Sequence, residues 1–410
     1  MIGLDDIEAA ARRLEGHVAH TPCEYAPRLS ALLETEIFLK GEQRQATASF
    51  KERGARTKLE SLSAGERRQG VIAMSAGNHA QGVACHAARL DIPATIVMPH
   101  FTPFIKVEKT TRYGAEALLQ GASIEEAAEV ARRLAGQRGL TFIHPFDDPL
   151  IIAGQGTIAL EMLTDQPGLE VLIVPIGGGG LIAGMAIAAK ALKPAIEIVG
   201  VQAQACPSMY RALRGLPPVA ASATIAEGIA VHTPGKRTLP IVASTVDRTV
   251  LVEEKAIEDA ILTLLEVEKT VVEGAGAAGL AALMSDPASF RGKRVGLVLC
   301  GGNIDLRTLS DVILRGMVRS RRLIEIGVDV ADAPGLLARV ATHIGQAGGN
   351  IVEVAHQRAF SPLSVKSTEM TFVIETRNAG HADEILTNLK SAGLGVRLLH
   401  QNDAGDKKTP

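Results

Sequence analysis

The sequence predicts an α/β protein with parallel, doubly wound sheets, followed by a smaller βαββαβ unit of ferredoxin-like pattern. Three observations carry this. Short, uncharged, β-branched runs recur up to about residue 300 and end in glycine-rich turns that open helical patterns. The pattern changes near Met317, after which strand and amphipathic-helix signals alternate in a compact order. Finally, 410 residues with 46% hydrophobic content allow two or three domains with sizeable cores and exclude wholesale disorder.

The elements follow in order. "GVIAMSAGNHAQGVACHAARL" and "EVLIVPIGGGGLIAGMAIAAKAL" each read as strand, loop and helix. "ATIVMP", "EIVGVQ" and "RVGLVLCGG" are further strands of the kind buried on both faces. Ligands of such sheets gather at the carboxyl ends of strands, so the loops just quoted hold the candidate residues. Val171 to Ala189 is uncharged for 19 residues, nearly a membrane span, but contains Pro175 and four consecutive glycines. Strand, turn and buried helix explain it better. The basic "RGMVRSRR" closes the first unit at residue 316 and supplies a linker over 317–322. Beyond it, "RLIEIGVDV" is a strand and "PGLLARVATHIGQ" a helix with Pro334 at its start. "NIVEVAHQR" and "EMTFVIET" are strands, "HADEILTNLKSAG" a helix and "GVRLLH" the last strand, giving a second unit over 323–401 and a polar tail over 402–410.

Composition excludes several function classes. A net charge of −2 and the absence of tryptophan give no reason to expect nucleic acid or a membrane surface as partner. Cys23, Cys85, Cys206 and Cys300 are widely spaced and form no CxxC pair, which reads as reduced thiols rather than a zinc site or a disulfide framework. The opening "MIGLDDIEAAARRLEGH" has no apolar core of a signal peptide, so a cytoplasmic location is expected.

Two stretches carry chemistry. In "TASFKERGA", Ser49 and Glu52 fit a capping box, which places Lys51 in the first turn of a helix running toward Leu62. That is the positive end of the helix dipole, a poor place for an ammonium. Lys51 is therefore either a solvated surface residue or an amine meant to be neutral and nucleophilic. In "PIGGGGLIAG", Gly177, Gly178, Gly179 and Gly180 precede a helix from Leu181, so turned-in N–H groups and the helix end can cradle a phosphate. No Walker lysine follows. Gly178, Gly180 and Ala183 match a dinucleotide fingerprint, but the next strand ends at neutral Gln202 where a ribose-binding acid belongs. A small monophosphate is favoured. A phosphate cradle together with a neutral lysine points to pyridoxal 5′-phosphate.

"SFKERGA", "SAGNHAQG", "GGGGL", "VEGAGA" and "CGGN" stand in one order over residues 49 to 303, and the chain up to about residue 316 resembles the threonine dehydratases (threonine ammonia-lyases). These are pyridoxal phosphate enzymes of fold type II, the tryptophan-synthase-β-like fold. The resemblance implies two catalytic subdomains, a small one near residues 50–145 inserted in a larger one. The second unit, with "DVADAPGLLARV", resembles an ACT domain, a regulatory module that often binds amino acids.

The resemblance also implies roles. Lys51 holds the cofactor aldehyde as a Schiff base and then takes the substrate Cα proton; the helix-end position lowers its pKa. Phe50 packs against the cofactor ring, and Asn78 hydrogen-bonds the ring 3′-oxygen. Gly177 to Gly180 and Leu181 take the phosphate. Ser75, Ala76, Gly77, Asn78 and His79 take the substrate carboxylate, His79 mainly through its backbone. Cys300 sits at the pyridine nitrogen as a neutral partner, which leaves that nitrogen unprotonated and favours prompt loss of a β-leaving group. Glu273 and Gly276 line the pocket. The cofactor phosphate is the candidate acid for the departing hydroxyl. Relatives that racemize serine carry a serine at the place of Ala76, so elimination is favoured here. Relatives with a divalent cation use a glutamate where this chain has Gln202, followed by Cys206 and Ser208, poor ligands that put such a site in doubt.

The reaction expected is L-threonine to 2-oxobutanoate and ammonia, with L-serine to pyruvate as side activity. A serine dehydratase or racemase is the alternative on the same scaffold; an amino-acid sensor with a vestigial first domain is a further one. For the ACT-like unit, a branched-chain amino acid is expected at Asp332, Pro334, Gly335, Leu336, Asn350 and Ile351, between paired units, in a homodimer or homotetramer.

Overall fold

A computed structural model of the chain describes residues 2–220, 222–331, 333–357 and 367–399. The chain divides into two compact units, Met1–Asp305 and Leu306–Pro410. The division falls before the helix Leu306–Arg319, and that helix takes in the first half of the linker expected over 317–322. Its apolar positions form one face, with Val312 buried, so the stretch folds as an amphipathic helix despite its basic end. The expected tail over 402–410 lies outside the described residues.

The described strands, in chain order, are β1 (Cys23–Tyr25), β2 (Glu36–Lys40), β3 (Val71–Met74), β4 (Ala94–Met98), β5 (Glu116–Leu119), β6 (Thr141–Phe142), β7 (Val171–Pro175), β8 (Glu197–Ala203), β9 (Arg248–Val252), β10 (Arg294–Val298), β11 (Leu323–Ala331), β12 (Asn350–Gln357), β13 (Ser367–Glu375) and β14 (Gly395–Leu398). The first unit holds two sheets. The larger has the order β1-β2-β10-β7-β8-β9 and is parallel except for β1. The smaller, β5-β4-β3-β6, is wholly parallel and is built from the chain between β2 and β7. Every residue of β7 is buried, because helices cover both faces of the larger sheet; that is why the run reads as continuous hydrophobe. The 19-residue uncharged stretch is β7, the glycine turn and the helix Gly180–Leu192 as far as Ala189. Among the described residues no helix is long and apolar enough to cross a membrane.

One polar knot joins the small sheet's approach helix to the large sheet. Arg53, fully buried in the helix Lys51–Glu60, forks onto both oxygens of Glu42 at 2.9 and 2.7 Å. The same guanidinium donates to Glu161 at 2.6 and 2.8 Å and to the Thr157 hydroxyl at 3.1 Å, both on the helix Pro149–Asp165. Lys40, at the end of β2, donates to Glu161 at 2.5 Å and to the Thr21 carbonyl at 2.6 Å. Two cations thus meet two carboxylates with their hydrogen bonds satisfied, the condition for holding buried charge. Burial pushes the Glu42 carboxyl up, but Arg53 and the Thr21 hydroxyl together hold it below the usual range.

In the second unit the order β12-β13-β11-β14 is antiparallel throughout, the βαββαβ arrangement expected. The helices Leu336–Gln346 and Ala379–Ser391 cover one face, with Ile326, Phe372, Ile344 and Ile385 in the core between. Register matters here. Leu323 and Asn350 both pair with Glu375, whereas Ala331 pairs with Ser367 at the other end of β13. The turn at Pro334 and Gly335 and the start of β12 at Asn350 and Ile351 therefore lie at opposite ends of one unit. Asp332 lies outside the described residues.

Replacing Arg53 by methionine would leave the buried Glu42 and the half-buried Glu161 short of their shared partner and is expected to cost about 3–5 kcal/mol of stability in urea unfolding. Lysine at 53, which lacks the fork, should recover little of it; full recovery by lysine would contradict this account.

Candidate active site

Four loops at the carboxyl ends of strands converge. Met74 ends β3, and Ser75–Gly77 lead into the helix Asn78–Arg89. Pro175 ends β7 and leads through the glycines into the helix Gly180–Leu192. Val298 ends β10 ahead of Cys300–Asn303, and Phe142 ends β6 ahead of the strap 143–148.

The segment before Lys51 is tied to the Cys300 loop like a short ribbon. Ser49 and Gly301 form an antiparallel bridge, the Phe50 N–H donates to the Cys300 carbonyl at 3.1 Å, and the Gly302 N–H donates to Ala48 at 2.9 Å. The expected capping box does not form. Phe50 is the N-cap, and the Ser49 hydroxyl accepts the Lys51 N–H at 3.3 Å. The Glu52 carboxylate turns instead to the Thr47 N–H and to His86 Nε2. The ribbon to Gly301 already fixes the chain entry, so the carboxylate is free for a long-range partner.

Lys51 lies where the sequence placed it, in the first turn. Burial pushes its amine down to about 8, the largest cause; the helix end acts in the same direction. Its Nζ donates to the Pro145 carbonyl at 2.7 Å and stands 5.1 Å from the Phe50 ring centroid. No carboxylate takes the amine, which is unlike a structural lysine.

Across the cleft, Asn78 Nδ2 donates to Glu273 at 2.7 Å, and Asn303 Nδ2 donates to Asn78 Oδ1 at 2.8 Å and to the Thr47 carbonyl at 2.7 Å. One amide hydrogen of Asn78 thus remains for a ligand acceptor. Glu273 caps the helix Gly274–Ser285, whose Gly276 packs against Gly301, and burial pushes its carboxyl up to about 7. Burial also raises the Cys300 thiol, with the Glu273 charge adding to it, so Cys300 is a neutral SH group. Ser75 accepts the Gly77 N–H at 3.1 Å, which leaves its hydroxyl hydrogen available, and Ala76 follows in the same bend. His79 is buried with Nε2 on the Ile143 carbonyl at 3.0 Å; burial takes it down to about 3, so the neutral ring donates there and only its backbone can serve a carboxylate.

The glycine turn admits no side chains. A Cβ at Gly178 would overlap the Phe146 ring, one at Gly180 would come within 2.8 Å of the Phe146 carbonyl, and Gly179 has φ +96°. The helix begins at Gly180, so the N–H groups of its first turn, Leu181 included, lack intrahelical carbonyls and face the turn. Thr238 and Gly235 hold the Gly178 carbonyl at 2.5 and 3.2 Å, which keeps that oxygen out of an anion's way.

Sequence reasoning missed the strap "HPFDD", residues 144–148. Pro145 meets Lys51, Phe146 covers the glycine turn, and Asp147 accepts N–H groups of Lys236, Arg237 and Thr238 at 2.9–3.2 Å. His144, pushed down to about 4 by burial, accepts the Phe146 and Asp147 N–H groups through Nδ1 at 3.2 and 2.8 Å. Asp148 followed by Pro149 was a legible helix start; the long-range contacts were not.

These residues fit pyridoxal phosphate: a buried amine hydrogen-bonded to a carbonyl and not to a carboxylate, a side-chain-free turn at a helix start, a spare amide hydrogen and a neutral thiol within one cleft. Comparison with known proteins agrees. The family model for pyridoxal-phosphate dependent enzymes matches residues 14–301. The chain belongs to that family. It is 43% identical to an L-threonine ammonia-lyase of Thermotoga maritima over 401 residues, 97% of this chain and 100% of the relative. Among solved structures it is similar to the processed form of threonine deaminase isoform 2 from Solanum lycopersicum (34% identity, TM-score 0.73, covering 77% of this chain and 87% of that one). Maize serine racemase is similar too (34% identity, TM-score 0.72, covering 78% and 99%).

Elsewhere, Gln202 accepts the Tyr210 N–H at 2.7 Å and Ser208 donates to the Val231 carbonyl at 2.5 Å. Among the described residues no group of three His, Cys, Asp or Glu could hold a metal ion. All four cysteines are buried and free.

A pH test follows from Glu273. Its folded pKa, about 7, lies above the ordinary 4.5, so its contribution is complete below pH 4.5 and is lost as pH rises through 7. In protein stripped of cofactor, Glu273→Gln should remove a decline on the order of 3 kcal/mol. Urea unfolding of both proteins at pH 5 and pH 8 checks this; parallel pH slopes would contradict it.

Proposed function

We propose that the chain is a threonine ammonia-lyase. It converts L-threonine to 2-oxobutanoate and ammonia, with L-serine to pyruvate as side activity. The water lost across Cα and Cβ is regained when the resulting enamine tautomerizes and hydrolyses. The observation that carries the reading is the Lys51 amine, buried to a pKa of about 8 and facing only a carbonyl, in a cleft with the glycine turn. The choice of threonine is supported by the similarity to a named L-threonine ammonia-lyase along the whole of that relative.

Pyridoxal phosphate, when bound, supplies an aldehyde for the substrate amine and a ring that withdraws electrons from Cα. The remaining work falls to the chain. Lys51 is the amine that carries the aldehyde and then the base that takes the Cα proton; a pKa near the working pH suits both uses. Gly177–Gly180 and Leu181 hold the phosphate through N–H groups. Asn78, its amide oriented by Glu273, would give its spare amide hydrogen to the ring oxygen. Ser75, Gly77 and the N–H groups at the helix start receive the substrate carboxylate. Phe50 and Phe146 keep water off the ring and the phosphate. Cys300 is a neutral thiol that would face the ring nitrogen and would offer no charge to hold a proton there.

Serine chemistry is the second reading, favoured by the similarity to maize serine racemase. Racemization needs a proton donor on the face opposite Lys51, and Ala76 offers only a methyl group where racemizing relatives carry a serine. The second unit reads as an ACT module that binds a branched-chain amino acid between paired copies.

Purified protein with pyridoxal phosphate should convert threonine to 2-oxobutanoate, and kcat/KM for threonine should exceed that for serine by about tenfold. Lys51→Ala should lower turnover on the order of 10³-fold or more. Conversion of L-serine to D-serine without oxoacid would overturn the reading. Isoleucine or valine should change activity or subunit association; no change in either would leave the second unit as a dimerization module without ligand.

A further inference from the structure

Behind Lys51 lies a buried acid–imidazole pair that the proposed reaction does not use. Glu52 follows Lys51 in its helix, and Glu52 Oε2 meets His86 Nε2 at 3.0 Å, with side chains 1% and 0% exposed. The other Glu52 oxygen accepts the Thr47 N–H. Nδ1 of His86 is buried and without a protein partner. A ring protonated at Nε2 alone leaves only a lone pair unmet there; an imidazolium would strand an N–H, the costlier defect. Burial, which pushes the His86 pKa down, acts in the same direction. Glu52 is therefore a fixed carboxylate at a helix start, receiving two N–H donors.

The contacts close a ring. Thr47, held by Glu52, holds Asn303 through its carbonyl at 2.7 Å; Asn303 holds Asn78 at 2.8 Å. Asn78 and His86 belong to one helix and, with Gly82 between them, occupy one face at i, i+4 and i+8. A Cβ at Gly82 would come within 3.3 Å of the Lys51 backbone, so the two helices touch there. The helix that carries Lys51 and the helix that begins at Asn78 are thus pinned on both sides of their closest approach. A buried polar pair contributes little net stability over an apolar pair of equal volume. Its best-attested use is to fix register, and here the two registered helices present the two ligand-facing groups.

We propose that Glu52 and His86 are positioning residues, which lock the Lys51 helix against the Asn78 helix so that amine and amide converge on the same ligand. This rests on Lys51 being the cofactor-bearing residue. The test compares His86→Phe, which keeps volume but removes the donor, with His86→Gln, which restores an N–H toward Glu52. The phenylalanine variant, folded by circular dichroism, should lose about 10–100-fold in kcat. Its KM for threonine should rise by a similar factor, because the helix start that receives the substrate carboxylate belongs to the displaced helix. Its dissociation constant for pyridoxal phosphate, measured without substrate, should rise about tenfold. Glutamine should bring both kcat and cofactor affinity back to within about fivefold of the unsubstituted protein. Unchanged kcat and cofactor affinity in the phenylalanine variant would overturn the inference, and so would a glutamine variant as impaired as phenylalanine. Should phenylalanine prevent folding, Glu52→Gln takes its place: it keeps shape but leaves one acceptor for two donors, so either the Thr47 N–H goes unmet or His86 carries its proton on the unpartnered Nδ1. A smaller loss in the same direction is expected, and cofactor affinity and kcat equal to the unsubstituted protein would be decisive against. Failure of the unsubstituted protein to form oxoacid from threonine would sink the proposed reaction instead, while the cofactor-affinity comparison would still judge this pair.

Discussion

The buried guanidinium of Arg53 is the constraint on which the cleft depends. It stands two residues past Lys51 and ties that helix to Glu42 behind β2 and to Glu161 on the helix after the strap. Each of those elements leads to a wall of the cleft: β2 neighbours β10 and the Cys300 loop, and the Glu161 helix begins at the strap that meets Lys51 and the glycine turn. An apolar contact in its place would allow the helix to slide by fractions of an ångström at little cost. A forked charge pair does not, because each hydrogen bond is directional and a stretched one leaves buried charge unmet.

Burial does the second share of the work, and it moves the lysine, both imidazoles and the glutamate of the cleft toward their neutral forms. It lowers Lys51 to about 8, His79 to about 3 and His144 to about 4, and raises Glu273 to about 7. Near neutral pH both imidazoles are therefore uncharged, Glu273 is partly protonated, and the Lys51 ammonium gives up its proton far more readily than an ordinary lysine. An anionic ligand then meets oriented N–H groups and a cationic amine, whose neutral form becomes available as pH rises toward 8.

Much of this is legible in the amino-acid sequence. The strands are legible because helices cover the sheets on both faces, so burial leaves an unbroken apolar run at β7. The glycine turn is legible because close approach forbids a Cβ, and that is a property of residue type. Lys51 in a first turn is legible from local pattern. What failed was local logic applied where a distant partner decides. Ser49 and Glu52 have capping-box spacing, yet the bridge to Gly301 and the imidazole of His86 determine where the carboxylate goes. The strap 144–148 carried no pattern of its own beyond a helix start, because its meaning lies in Lys51, Gly178 and Thr238, each far off in the chain. The largest cause of the amine's low pKa is likewise hidden: the helix end is visible in sequence, whereas burial is not.

The same distinction bears on the second unit. Its βαββαβ order could be read from alternation, but the proximity of two loops could not. Register shows that Pro334 and Gly335 sit beyond the end of β11 where Ala331 pairs Ser367, while Asn350 sits where Leu323 begins, eight residues of strand away. At about 3.3 Å per residue that separation exceeds the reach of any free amino acid. A ligand that touches both segments must therefore take one from each of two copies of the unit. Binding of such a ligand is then coupled by mass action to association of the copies, and a change in one without the other would be physically inconsistent with a shared site.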